Sequence, residues 1–243
     1  PDISPNYSPT HSYDWCNSDP DPTPTSNNGH GTAAGGVAAA AGNNTIHVSG
    51  AAYDATLGGS TLIACWSPDS MEANALSFLN NEIDIYTNSW GPSDNGQTLS
   101  APGPLMLAAF EDDAYQGRNG LGNIITWAAG NGLTSNDNAN YDGWANSRFT
   151  IAVSAITHYG EQSYYSEPGA NILVAAHSNG DGEAITTTDI HDDPDISSDD
   201  AGYDNGNVTN SFGGTSSATP LAAGVIALIL ESNENLTWRD LQH

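Results

Sequence analysis

Gly213-Gly214-Thr215-Ser216-Ser217-Ala218-Thr219-Pro220 runs directly into an apolar segment, 221–230. Glycines ahead of a serine at the mouth of a helix set a hydroxyl on a tight turn, where it can act as a nucleophile. The helix N-terminus adds a dipole that favours the negative charge such an attack develops. Pro220 fits the first turn of that helix, where its missing N–H is not needed. Segment 221–230 is apolar on every face and predicts a centrally buried helix. A second reactive group lies far upstream: His30, within Asn28-Gly29-His30-Gly31-Thr32, opens a run of very small residues able to pack closely on other backbone. A third stretch, Ile124-Ile125-Thr126-Trp127-Ala128, reads as a buried strand followed by the turn Gly130-Asn131-Gly132. Alone, each has a plain structural use: Ser216 as an N-cap, His30 as a capping or core histidine, Asn131 as a turn residue tolerating positive φ. All three at element boundaries point to nucleophilic catalysis.

The elements that must position them alternate. Strands are expected at 55–63, 83–89, 123–128, 149–156 and 171–176, and helices at 30–40, 69–79, 104–116 and 216–232. Such alternation implies an α/β fold, a mostly parallel sheet with helices on both faces. Ligand crevices in such sheets lie beyond the carboxyl ends of the strands. Ser89, Asn131 and the serine turn all fall there.

The chain has 243 residues, enough for one large core and a single domain. Its 29 acidic residues face only three basic ones, Arg118, Arg148 and Arg239, for a formal charge of −26. Nucleic acid is excluded as a partner, because binding it needs a basic stripe. Two uses for the acids remain, and both are expected: a solvated acidic surface suited to salty water, and clusters that bind calcium and cationic peptides. The sequence shows no apolar run of membrane-spanning length and no signal peptide. It begins mid-motif at Pro1-Asp2-Ile3 and stops just after Trp238-Arg239-Asp240, which reads as an excerpt of a longer precursor. Cys16 and Cys65, the only cysteines, allow one disulfide, and spacing alone leaves their pairing open.

Together the three motifs resemble the subtilisin-like serine proteases, whose catalytic residues follow the chain order Asp, His, Ser. The resemblance narrows to the calcium-dependent kexin and furin branch. It is carried by Asn88-Ser89-Trp90-Gly91-Pro92-Ser93-Asp94, Tyr141-Asp142-Gly143-Trp144-Ala145-Asn146-Ser147, Tyr164-Tyr165-Ser166-Glu167 and Asn235-Leu236-Thr237-Trp238-Arg239-Asp240. It covers the whole chain, apart from an extra acidic loop at 191–205. It implies a subtilisin-like three-layer fold in which Ser216 is the nucleophile, His30 the general base and acid, and Asn131 the oxyanion donor. It also places the triad aspartate upstream of Pro1, so the 243-residue piece alone is expected to be nearly inactive.

By the same resemblance Asp94 and Asp142 line a primary pocket for arginine, and for lysine less well, with Ser89-Trp90-Gly91 opposite Ala128-Ala129-Gly130 as its walls. Glu72 matches an acid that favours a basic residue at the fourth subsite, whereas Asn27 and Ser100 stand where furin-like enzymes carry further acids. Calcium is the implied cofactor, since hard cations collect oxygen ligands. One implied site comprises Asp2 and Asn44 with the carbonyls of Ala41, Ile46 and Val48; a second Asp94, Asp137 and Glu167; a third Asp14, Asp19 and Asp21. For the third a solvated acidic loop is an equal reading, and for Asp192, Asp193, Asp195, Asp199, Asp200 and Asp204 it is the better one. The expectation is therefore a secreted, monomeric, calcium-dependent serine endopeptidase cutting polypeptides after basic residues, with a propeptide or inhibitor as partner. The alternatives are a broad-specificity subtilase and an inactive, calcium-stabilised binding module.

Overall fold

Strand β4 (Ile124–Ala128) is buried at all five positions, as befits a strand inside a sheet. The computed structural model, which describes residues 2–24, 28–190, 202–204 and 206–243, places it second in a four-stranded parallel sheet of order β3-β4-β5-β6. Its partners are β3 (Ile85–Asn88), β5 (Thr150–Ile156) and β6 (Ile172–His177). Side chains alternate across β4. Ile124 joins Ile151 and Val153 of β5 against Ala218, Ala222 and Ile226 of helix α5 (Thr215–Ser232). Ile125 and Trp127 face the other way, onto Leu76 of α2 (Asp69–Leu76) and Met106 and Phe110 of α3 (Pro104–Tyr115). Helix, sheet and helix layers follow, the expected three-layer α/β arrangement.

Helix α1 (His30–Ala39) lies beside α5, where Ala33 and Val37 pack with Phe212 and Leu221. An antiparallel pair, β7 (Ile185–Thr188) and β8 (Val208–Phe212), holds α1 from outside. The hydroxyls of Thr187 and Thr188 donate to the carbonyls of Ala33 and Thr32 at 2.8 and 2.7 Å. Gly36 permits this approach, because a side chain there would collide with both threonines.

Three expectations need correction. Most of 55–63 is irregular: besides a single bridge from Leu57 to Tyr7, only β2 (Ser60–Thr61) pairs, with β1 (Tyr13–Asp14), and Gly58 and Gly59 just before it supply no side chain to pack a longer strand. Helix α2 stops at Leu76 rather than residue 79, and Leu79 itself is left-handed at φ 52°. Helix α5 begins at Thr215, so Pro220 is its sixth residue and lies inside the helix. Its missing N–H cannot bond the carbonyl of Ser216 four residues back. The Ser89 hydroxyl, at the end of β3, donates to that carbonyl instead, at 3.0 Å.

Nor is α5 buried all round: Val225, Leu228 and Ile229 are exposed. By length and composition α5 is apolar enough to cross a membrane, which the reading of the sequence missed; here its inner face is buried against the sheet and α1. Cys16 and Cys65 form a disulfide with Cα atoms 5.8 Å apart. Arg118, in the single turn α4 (Gly117–Gly120), is buried and ties Asp84 to the carbonyls of Gly122, Glu234 and Leu236 just ahead of α6 (Trp238–Gln242).

Candidate active site

The serine turn is held from both sides. Gly214 adopts φ 73°, a conformation favouring glycine. Its N–H donates to Asn179 Oδ1 at 2.7 Å, and its carbonyl accepts from the Ser178 hydroxyl at 2.7 Å. Ser216 follows as the second residue of α5, half-buried. Asn131, in the turn after β4, reaches the same helix end. Its Oδ1 accepts from the N–H and the hydroxyl of Thr215 at 2.8 and 3.0 Å. That fixes which edge of the amide points away from α5: Nδ2 is the outward donor, with only a long 3.4 Å contact to Asp94 Oδ2. Thr215 and Asn179 were not singled out from the sequence, because partners 84 and 35 positions away leave no local signal.

His30 is the first residue of α1, and its ring sits edge-on to Phe212 with centroids 5.6 Å apart. Phe212 ends β8, four residues before Ser216, so one aromatic ring links the histidine to the strand that leads into the serine turn. Burial lowers the imidazole pKa, which keeps it neutral and able to accept a proton near pH 7. Among the described residues no carboxylate hydrogen-bonds to the ring.

Asp94, Asp137, Asp142 and Glu167 meet in one pocket with Ala129 and Gly130. The glycines around Asn131 make room for them: a Cβ on Gly132 would lie 2.6 Å from Asp137 Cβ, 2.9 Å from Glu167 Oε1 and 3.1 Å from Asp94 Cβ. Asp94 Oδ2 accepts the Asn131 N–H at 3.0 Å, which joins this pocket to the serine turn. Asp142 Oδ1 accepts from Trp144 and Ala145 N–H at 2.8 and 3.3 Å. Its Oδ2 lies 2.9 Å from where a Gly91 Cβ would stand. Burial, reinforced by Asp94 and Asp137, raises the pKa of Asp142 to about 6. Burial, with those two and Asp142, raises that of Glu167 to about 7. Among the described residues the ion pairs are His11–Glu82 and Arg118–Asp84, so no internal cation neutralises these four acids.

The other named residues fall around this centre. Trp90 meets Trp127 edge-on and Trp144 at a tilt, with ring centroids 4.7 and 5.9 Å apart. Glu72 lies outside the carboxylate pocket. It is buried in α2 and accepts from Ser67 Oγ at 3.2 Å and Trp144 Nε1 at 3.3 Å. Ser100 joins the Asp142 loop by backbone, accepting the Gly143 N–H at 2.8 Å. Asn27, with Asp192, Asp193, Asp195, Asp199 and Asp200, lies outside the described residues.

Residues of the first calcium set lie together, but as hydrogen-bonded partners: buried Asp2 accepts from Asn44 Nδ2 and Val48 N–H at 3.0 Å each, and its carbonyl accepts the Ala41 N–H at 2.7 Å. Asn44 Oδ1 accepts the Ile46 N–H at 2.9 Å, so its oxygen is turned to backbone. In the third set Asp14 and Asp19 exchange two backbone hydrogen bonds, but the side chains turn to separate partners. Asp14 bonds Asn17, Asp19 bonds the Asp21 N–H and Asp21 bonds Thr23, each within its own turn. Asp204 is likewise spent on Thr209 and Asn210. Among the described residues no group of three or more His, Cys, Asp or Glu side chains is arranged closely enough to hold a metal ion.

The subtilase family model matches residues 1–243. Furin-like protease 1 of Drosophila melanogaster is 43% identical over 249 residues, covering all of this chain and 21% of that protein. Human furin is 41% identical over 249 residues, covering all of this chain and 30% of its own length. The chain thus spans less than a third of these curated relatives. Among solved structures, the serine protease of Aeromonas sobria superposes with a TM-score of 0.84 at 28% identity, over all of this chain and 47% of that one. A serine presented on a glycine turn, an asparagine pinned beside it and a histidine opening the neighbouring helix thus accompany a match that runs from the first residue to the last, and the chain belongs to the subtilase family.

Proposed function

We propose that this chain is part of the catalytic domain of a calcium-dependent serine endopeptidase that cuts after basic residues, arginine above all. The supporting observation is the un-neutralised carboxylate pocket bonded directly to Asn131, beside the serine turn. Ser216 Oγ attacks the scissile carbonyl as His30 takes its proton, and His30 then hands that proton to the leaving amine. Asn131 Nδ2 donates to the oxyanion, a role whose loss costs roughly 100- to 1,000-fold in turnover. The N-terminus of α5 favours the same developing charge. An arginine side chain entering between Gly91 and Gly130 meets Asp142 and Asp94, whose oxygens suit a planar guanidinium.

Calcium matches two of the sets in the type of donor they offer, carboxylate, amide and carbonyl oxygen. Asp94, Asp137 and Glu167 all line the pocket beside Gly132 without being drawn to metal-ligand spacing here, and Asp2 with Asn44 and the 41–48 loop make up the other set. A bound divalent ion supplies the positive charge that offsets carboxylate repulsion there. The disulfide fits secretion, with a propeptide or inhibitor as partner.

The test is active-site labelling of the full-length protein. A fluorophosphonate is expected to label Ser216 and to abolish peptide cleavage, and Ser216→Ala to remove both. Labelling at another residue, or activity surviving Ser216→Ala, refutes the assignment.

A further inference from the structure

Asp189, just after β7, is buried and has no basic partner among the described residues. Its Oδ1 accepts the Ile190 N–H at 2.9 Å, and its Oδ2 accepts those of Tyr203 and Asp204 at 2.8 Å each. One carboxylate therefore draws together two stretches of chain a dozen residues apart. The neck so formed closes on the residue ahead of His30. A Cβ on Gly29 would lie 3.1 Å from Gly202 Cα and 3.2 Å from both Asp189 Oδ1 and Ile190 Cγ1. From the neck, aromatic rings lead to the imidazole. Tyr203 meets Phe212 edge-on at 5.5 Å, and Phe212 meets His30 edge-on at 5.6 Å. Phe212 is 1% exposed, so it cannot turn aside without opening the core. None of these residues lines the carboxylate pocket.

We infer that Asp189 is a positioning residue for catalysis: by tying Ile190, Tyr203 and Asp204 into one neck against Gly29 and Phe212, it sets the wall that holds the His30 ring. This rests on His30 and Ser216 being the reacting pair. Without the carboxylate, three N–H groups lose their acceptor, and Tyr203 is released from Phe212. The imidazole then gains both freedom and water. A misplacement of about 1 Å in a reacting group can cost on the order of 100-fold in rate. The charged groups of the neck are Asp189 and Asp204; helix α1 carries none besides His30, and residues 208–219 carry none.

The experiment measures the rate of fluorophosphonate labelling at Ser216 against pH in the full-length protein, together with kcat and KM for one peptide. Asp189→Ala is expected to label about 10- to 100-fold more slowly and to lower kcat similarly, with KM within about twofold. The acid limb of its labelling curve should move up toward the ordinary imidazole pKa of about 6.5. Asp189→Asn, whose single oxygen can still accept from Tyr203 and Asp204, should recover most of the rate. Tyr203→Leu keeps the carboxylate but removes the ring, and should show the same upward shift of the acid limb even where Asp189→Ala fails to fold. If the wild type labels at Ser216 while Asp189→Ala or Tyr203→Leu labels at the same rate with the same acid limb, the inference falls alone, whatever the loss in melting temperature. If the wild type does not label at Ser216, the catalytic pair falls and the inference with it.

Discussion

Replacing Asp142 with asparagine separates the primary pocket from the reacting groups. Asparagine can keep the two N–H bonds from Trp144 and Ala145 on its Oδ1, so the 142–145 turn should hold its shape. The change is confined to the second oxygen, which faces Gly91 and becomes an NH2 group. A guanidinium arriving there meets a donor where it had a carboxylate. Losing one charge-assisted hydrogen bond costs about 1.5–3 kcal/mol, which is roughly 10- to 150-fold in rate. In Asp142→Asn, kcat/KM for a peptide with arginine before the scissile bond should fall by about that factor, while a matched leucyl peptide stays within about twofold. The assay compares arginyl, lysyl and leucyl peptides of otherwise identical sequence, at saturating calcium and one fixed salt concentration, because screening alone changes charge attraction. A fall of equal size for arginyl and leucyl peptides would show that the substitution damaged the catalyst rather than the pocket. If the wild type cuts both peptides equally, the basic specificity itself is refuted.

Three other outcomes follow from the same structure. Asp113 is fully buried with Oδ2 unpartnered, and burial raises its pKa to about 7. The folded state therefore holds this proton more tightly than the unfolded chain, and stability is lost as pH rises from about 4 to about 7, by on the order of 4 kcal/mol. Asp113→Asn should match the parent in urea melts at pH 4 and exceed it at pH 8; an equal difference at both would refute the linkage. The Cys16–Cys65 disulfide closes a loop with a sequence separation of 49, worth about 4 kcal/mol by chain entropy, so a double Cys→Ala variant should melt roughly 8–16 °C lower; no change would show that the loop is already ordered without it. Chelation at fixed high sodium chloride should lower the melting temperature and abolish activity. Asp2→Ala should weaken the calcium-dependent part more than Asp204→Asn does, and a chelator without effect would reduce the acidic composition to surface adaptation.

Local pattern was enough to place the four-stranded sheet and helices α1, α3 and α5, but it put a strand at 55–63 that is mostly irregular and did not reveal the β7–β8 pair. The 3.6-residue and buried-run patterns at 104–116, 123–128 and 149–156 reflect local burial, and each element appears within a residue or two of its expected bounds. His30, Asn131 and Ser216 were legible because each stands at an element boundary beside glycine, and boundary chemistry is local. What local pattern could not carry was partnership. The use of Pro220 inside α5 depends on Ser89, 127 positions from the carbonyl it bonds. The orientation of the Asn131 amide depends on Thr215, and the disulfide on two loops brought together by a short β1–β2 pairing. The four carboxylates of the pocket come from separate turns, and the raised pKa values of Asp142 and Glu167 arise from burial and proximity that exist only once the chain has folded. Composition foretold an acidic protein. Only packing decided which acids are solvated surface and which are held, unpaired, beside Asn131, because desolvation is a property of surroundings and not of residue type.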